Sequence, residues 1–136
     1  MAIFIDKYLQ VGRKNTISLK NDTQLSRTGP WVSIPQETEF DRFYLGDFTA
    51  AEYTIFIDLN TTQKEIIKVL VVASLDKATL SVFGRSNLGN DIVNLSATVN
   101  DSYVSLKASP TSDDNKNSKL VYNAFYFQNQ NLLVPY

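Results

Sequence analysis

The stretch that decides the fold is residues 93–108, which read VNLSATVNDSYVSLKA. Apolar side chains occupy every second position over residues 93–99, and Asn, Ser and Thr fill the positions between them. A period of two places the two kinds of side chain on opposite faces of a β-strand. Asn100-Asp101 is a two-residue connector whose residue types tolerate positive φ, which predicts a tight hairpin. Apolar side chains alternate again over residues 104–108, so the stretch predicts an antiparallel pair with one buried face.

Similar runs recur from Phe48 onward, about a dozen residues apart, as in a β-sandwich or barrel. They predict strands over residues 53–58, 65–74, 79–85 and 119–128. The run at 65–74 is apolar almost throughout and rich in valine, which favours a strand covered on both faces. The run at 119–128 carries aromatic residues on both faces, which indicates that one face meets the core and the other meets something else.

The first 40 residues are less regular, with short candidate strands over residues 2–5, 16–20 and 31–34. The longest polar stretch, residues 110–118, is expected to be a surface loop. A chain of 136 residues fits one domain. The sequence therefore predicts an all-β fold, an antiparallel β-sandwich of about eight to nine short strands, with a jelly roll as one arrangement of it.

The composition excludes several classes of site. The chain has no cysteine and no histidine, which excludes disulfides, thiolate metal sites and Ser-His-Asp or Cys-His triads. With 13 basic and 14 acidic residues the net charge is -1. No run of basic residues indicates a surface that binds the phosphate backbone of a nucleic acid. No apolar stretch approaches the roughly 20 residues that cross a bilayer. No nucleic-acid and no membrane partner is expected.

The acidic residues are weak candidates for chemistry. Residues 113–118 offer oxygen ligands but lack the glycine and the bidentate glutamate of an EF-hand, so a solvated loop is expected and no metal or other cofactor. A calcium site shared with a second loop is the alternative. Seven acids lie between Glu37 and Glu65, but nothing indicates the cleft that a glycosidase pair needs. The sequence therefore predicts that the protein is not an enzyme.

Arg85 is expected to pair with a nearby acid or a backbone carbonyl.

The aromatic residues have three interpretations. Trp31 is the only tryptophan, and 15 further aromatic residues are Phe or Tyr. They fill a core, line a protein interface, or form a carbohydrate-binding face of flat rings. The tyrosines that could build a carbohydrate-binding face are Tyr44, Tyr53, Tyr103, Tyr122 and Tyr126. The residues expected at a protein interface are Trp31, Tyr122, Tyr126, Leu132, Leu133, Val134 and Tyr136. The apolar tail that holds the last four either lies on a neighbour or folds back on its own domain.

Six segments occur in order along the chain: GDFTAAEY (46–53), LVVAS (70–74), VFGRSNLG (82–89), LSATVN (95–100), VSLKASP (104–110) and AFYF (124–127). With this ordered set, residues 43–128 resemble a β-module of virion structural proteins from tailed bacteriophages, notably those that infect marine cyanobacteria. The resemblance divides a single domain, residues 1–136, into an N-terminal docking segment (1–40), the phage β-module (43–128) and a C-terminal tail (129–136).

The resemblance implies a non-enzymatic building block of a phage particle, placed in the tail, neck, a fibre or an accessory position. It implies other virion structural proteins as partners, a homo-oligomer, and a location in the virion after assembly in the bacterial cytoplasm. The alternative is a capsid decoration protein or a module that binds a host receptor or carbohydrate, and a glycan ligand is the less favoured of these partners.

Overall fold

Two antiparallel sheets pack face to face in the computed structural model, which describes residues 15–18 and 24–130. Within those residues the strands are β1 (Asn15–Ser18), β2 (Gln24–Thr28), β3 (Val32–Ser33), β4 (Thr38–Tyr44), β5 (Phe48–Asp58), β6 (Lys64–Ala73), β7 (Ala78–Asn87), β8 (Val93–Asn100), β9 (Tyr103–Pro110) and β10 (Lys119–Gln128). The predicted all-β sandwich is confirmed. A single 3-10 turn, Asp113–Asn115, lies in the predicted polar loop.

The large sheet has the strand order β1-β2-β10-β5-β6-β7, with β3 also paired to β10, and the small sheet has the order β4-β9-β8. Strands β5, β6 and β7 are neighbours in one sheet, which is a meander and not the two Greek keys of a jelly roll. The β8–β9 hairpin turns at Asp101 and Ser102, both with positive φ (51° and 69°). The turn lies one residue later than predicted because Asn100 still pairs with Tyr103.

The core lies between the sheets and takes alternate residues from the facing strands. On β6, Ile67, Val69 and Val71 are buried, and their neighbours in sequence point to the other side. On β9, Val104 and Leu106 face them from the small sheet. Full burial of each such side chain contributes about 1.5–3 kcal/mol. The two-residue periodicity of the sequence places these side chains on one face, and their burial holds the sheets together.

The N-terminal part of the chain differs from the prediction. Strand β2 pairs with β10 in the large sheet, and β4 forms one edge of the small sheet. The strands within residues 24–40 therefore belong to the sandwich, and a docking role for residues 1–40 stays a prediction. Strand β4 was missed because a bulge between Glu39 and Asp41 breaks its alternation. The candidate strand at residues 2–5 lies outside the described residues. In the described ranges, no helix has the length and apolar character to span a bilayer.

Candidate functional site

A buried carboxylate lies between the two sheets. Asp41, on β4, is 1% exposed. Its Oδ2 accepts hydrogen bonds from the Tyr53 hydroxyl at 2.6 Å and from the Tyr126 hydroxyl. Its Oδ1 accepts one from the Tyr122 hydroxyl at 2.8 Å and one from Arg27 Nη1 at 3.2 Å. The donors lie on β2, β5 and β10 of the large sheet, so this Asp41 cluster ties the small sheet to three strands of the large one.

Burial and charge hold the three tyrosines of the Asp41 cluster in their neutral form. Burial, followed by the negative charge of Asp41, raises the pKa of Tyr53, Tyr122 and Tyr126 well above the ordinary value of 10. Burial lowers the pKa of Arg27, but attraction to Tyr126 and Asp41 outweighs it and the net shift is upward. Three neutral phenols and one guanidinium therefore face the carboxylate across the whole physiological range. The contacts of the cluster clamp strands of the two sheets together.

A second buried carboxylate, Glu65 on β6, is also 1% exposed. Its Oε2 accepts hydrogen bonds from Arg85 Nη1 at 2.8 Å and from Asn87 Nδ2 at 3.1 Å, and its Oε1 accepts one from the backbone N–H of Ile92 at 3.2 Å. Arg85 also donates to the carbonyl of Val93 at 3.2 Å. The prediction that Arg85 pairs with an acid or a carbonyl is confirmed, and the contacts tie the large sheet to the start of β8.

The outer side of the small sheet is polar and carries two tyrosines. This polar face consists of Tyr44, Tyr103, Asn100, Arg42, Glu39 and Thr98. The rings of Tyr44 and Tyr103 lie 5.3 Å apart, and the Arg42 guanidinium carbon is 5.4 Å from the centre of the Tyr103 ring. Arg42 donates two hydrogen bonds to Glu39, at 3.2 and 3.3 Å. Flat rings beside a fixed ion pair are an arrangement that can hold a sugar ring.

Six large apolar side chains lie on the outer side of the large sheet, among charged side chains that include Glu52, Lys64 and Lys68. This apolar face consists of Phe56, Ile66, Leu70, Val72, Phe125 and Phe127, on strands β5, β6 and β10. The β6 side chains are strongly exposed: Ile66 is 47% exposed, Leu70 44% and Val72 62%. The sequence pattern predicts that β6 is covered on both faces, but within the described part of the chain only its inner face is covered.

The structure separates the residues that the sequence grouped as an interface. Trp31 is 52% exposed and its ring meets Phe56 edge-on, with the ring centres 5.9 Å apart. Tyr122 and Tyr126 point into the core and bind Asp41, so the prediction that they form an interface is corrected. The predicted tail residues Leu132, Leu133, Val134 and Tyr136 lie outside the described residues.

The five tyrosines proposed for a carbohydrate-binding face divide in the same way. Tyr44 and Tyr103 share the polar face, whereas Tyr53 joins Tyr122 and Tyr126 in the core. Sequence reasoning missed both Asp41 and Arg27. A lone acid between Phe40 and Phe43 was the available signal, because an acid on an aromatic, inward-facing strand needs buried donors.

The acidic side chains of the loop at residues 110–118 lie among contacts within the loop and with Ile92. Lys116 pairs with Asp113 at 3.2 Å, and Asn115 donates to the carbonyl of Ile92 at 3.1 Å. Across residues 15–18 and 24–130, no group of three or more acidic side chains is arranged to hold a metal ion.

No protein-family model matches this chain, and no curated protein matches it. Among solved structures, it is similar to the tailspike protein gp49 of Acinetobacter baumannii bacteriophage Fri1, a capsular polysaccharide depolymerase, with a TM-score of 0.45 and 12% identity over 95% of this chain and 22% of that one. It is also similar to the tailspike of Acinetobacter phage vB_ApiP_P1 (TM-score 0.41, 13% identity, 86% of this chain and 21% of that one). A third similar structure is the tailspike of Acinetobacter baumannii phage AM24 (TM-score 0.35, 13% identity, 92% and 24%). The chain thus spans less than a quarter of each tailspike.

Proposed function

We propose that this chain is a structural component of a bacteriophage particle that works as a non-enzymatic building block through protein–protein interfaces. The observation that carries the proposal is the apolar face of the large sheet. Large exposed apolar side chains grouped on one side of a domain are typical of a protein interaction site. The ordered segments over residues 43–128 supply the phage context, because they resemble a module of virion structural proteins.

The interior of the domain suits such a role. Both buried carboxylates are enclosed by donors that lock strands of the two sheets together. Their chemistry is therefore used to fix the fold, and neither carboxylate is presented to a substrate. A sandwich clamped in this way keeps its outer faces in fixed positions, as an element of a repeating particle must.

The test is to look for the chain in purified particles of the phage that encodes it. Particles separated on a density gradient are analysed by quantitative mass spectrometry, and an antibody against the purified chain is located on them by electron microscopy. We expect the chain at a fixed copy number per particle, with label on the tail, the neck or a fibre. Label on the head would favour capsid decoration. A chain that is abundant in infected cells but absent from particles would refute the proposal.

A second candidate function, a carbohydrate-binding module, is favoured by one observation on the polar face, the exposed pair of Tyr44 and Tyr103. It predicts glycan-array binding that is lost in Tyr103→Ala and retained in Tyr103→Phe, because the phenylalanine keeps the flat ring. The matched control is Phe127→Ala on the opposite side of the domain. Equal binding by Tyr103→Ala and the unchanged chain would exclude this face as a glycan site.

A further inference from the structure

The outer side of β6 is built as an interior surface. Ile66, Leu70 and Val72 are three of the five outward side chains of this strand, and the other two are Lys64 and Lys68. Strands with one face in water normally alternate apolar and polar residues, whereas strands buried on both faces read as continuous apolar runs. The sequence of β6 thus matches a strand that has a cover on each side, and the structure shows one cover.

The neighbouring strands extend this surface in register. Phe56 pairs with Ile66, and Ala50 pairs with both Val72 and Phe127, so apolar rows run across β10, β5 and β6. Three strands about 4.8 Å apart and roughly 30 Å long outline a face of roughly 430 Å². A face of this outline corresponds to an interface at the small end of the range for specific protein–protein contacts.

The charges on this face make it self-complementary. Glu52 on β5 pairs across with Leu70, and Lys68 on β6 pairs across with Thr54, so the two charged residues are diagonal neighbours on the outer side. Neither forms an ion pair within the part of the chain that the structure describes. A two-fold axis lying between two copies and perpendicular to this diagonal brings each Glu52 opposite the Lys68 of the other copy. Isologous interfaces have this reciprocal form.

The edge of the same sheet is a poorer route to association. Strand β7 is the edge strand next to β6. Lys68 pairs with Gly84 and Val69 pairs with Val82, so Phe83 is left without a partner in a bulge that interrupts the pairing of the two strands. Bulges disturb the row of free N–H and C=O groups that a further strand would need. Association is therefore favoured through the face of the sheet over its edge.

We infer that the apolar face is the docking surface for a second copy of this chain, which packs face to face about a two-fold axis with reciprocal Glu52–Lys68 pairs. The inference rests on the proposed building-block function and adds its partner. The surface is complementary to itself because its two apolar rows flank an acid, Glu52, and a base, Lys68, in a diagonal relation.

The test is the mass of the full chain in solution, measured by sedimentation velocity and native mass spectrometry over a range of concentrations. We expect a dimer, and we expect Leu70→Asp to raise its dissociation constant about 100-fold or more, as for a central hot spot. The matched control is Leu75→Asp, the same change at an 81%-exposed residue in the β6–β7 turn, which should leave the dimer intact. Circular dichroism confirms that each variant is folded.

A charge cycle tests the two-fold pairing without disturbing apolar packing. Glu52→Lys and Lys68→Glu should each weaken the dimer, and the double variant should restore it. A monomeric wild-type chain, a dimer unaffected by Leu70→Asp, a ring of three or more copies, or a double variant no better than the singles would overturn the inference. A monomer that is nevertheless present in phage particles would sink this inference alone, whereas a dimer absent from particles would sink the proposed function alone.

Discussion

The Asp41 cluster makes a strong prediction about stability. In Asp41→Asn the side chain keeps its shape but offers one oxygen and one N–H₂ group in place of two carboxylate oxygens. Four donors converge on these two positions, from Arg27 and three tyrosines. The amide nitrogen accepts no hydrogen bond, so at least two of the donors lose their acceptor whichever way the amide is turned. Arg27 also loses the negative charge that compensates its own.

The size of the effect follows from burial. A hydrogen bond to a charged group contributes about 1.5–3 kcal/mol, and breaking a buried charge pair costs about 3–5 kcal/mol. We therefore expect Asp41→Asn to lower the free energy of unfolding by about 3–5 kcal/mol. Domains of this kind have about 5–15 kcal/mol in total, so the variant should remain folded but lose roughly 10–20 °C of Tm.

The assay is equilibrium urea unfolding followed by far-ultraviolet circular dichroism at neutral pH. The matched control is Asp58→Asn, which removes a carboxylate that is 40% exposed and bound to Lys64 at 2.8 Å. Exposed pairs contribute about 1 kcal/mol or less, so the control should unfold close to the unchanged chain. If the two variants differ by less than about 1 kcal/mol, the Asp41 cluster does not hold the sheets together and the reasoning is refuted.

Three further predictions come from the interior. The raised pKa of the three clamp tyrosines keeps them protonated in the folded state above pH 10 while the unfolded chain ionises, so stability should fall by up to about 1.4 kcal/mol per pH unit for each. An absorbance titration should accordingly show three of the seven tyrosines ionising only with unfolding, and smooth titration of all seven in the folded state would contradict this. Glu65→Gln should cost about 2–3 kcal/mol in urea unfolding, because Arg85 loses its carboxylate but keeps the Val93 carbonyl; a loss below 0.5 kcal/mol would contradict it. Gly29→Ala should cost about 1–3 kcal/mol, since its Cβ would lie 2.3 Å from a ring carbon of Tyr122, and an unchanged Tm would show that the ring moves freely.

The strands with regular alternation were predictable from sequence alone. Residues 93–108 and 119–128 correspond to β8, β9 and β10, and for β8 and β9 the inward and outward sides are those that the pattern indicates. The apolar character of β6 was also correctly identified, but the second cover that it predicts is not supplied by the described residues. Periodicity reports which side chains share a face, and it does not report what that face will meet.

The buried site was not predictable in the same way. The alternation of β10 places Tyr122 and Tyr126 on one side and Phe125 and Phe127 on the other, and both sides are aromatic. By hydropathy the phenylalanines are the better core residues. The tyrosines face the core instead because Asp41, which is 81 positions from Tyr122 in sequence, accepts a hydrogen bond from the Tyr122 hydroxyl. The sequence of β10 itself carries no sign of a polar partner so far away in the chain.

This reversal also accounts for the apolar face. A strand has two sides, so if the tyrosines of β10 turn inward to satisfy a buried carboxylate, the phenylalanines must turn outward. The Asp41 cluster thus places Phe125 and Phe127 at the surface, on the same outer side of the large sheet as Ile66, Leu70 and Val72. Tyrosine has a hydroxyl that can donate a hydrogen bond to a buried acid, whereas phenylalanine offers only apolar surface. Exposed phenylalanine area lowers the free energy of the chain only when a partner covers it. The Asp41 cluster in the interior is in this way linked to the association that we infer at the outer face.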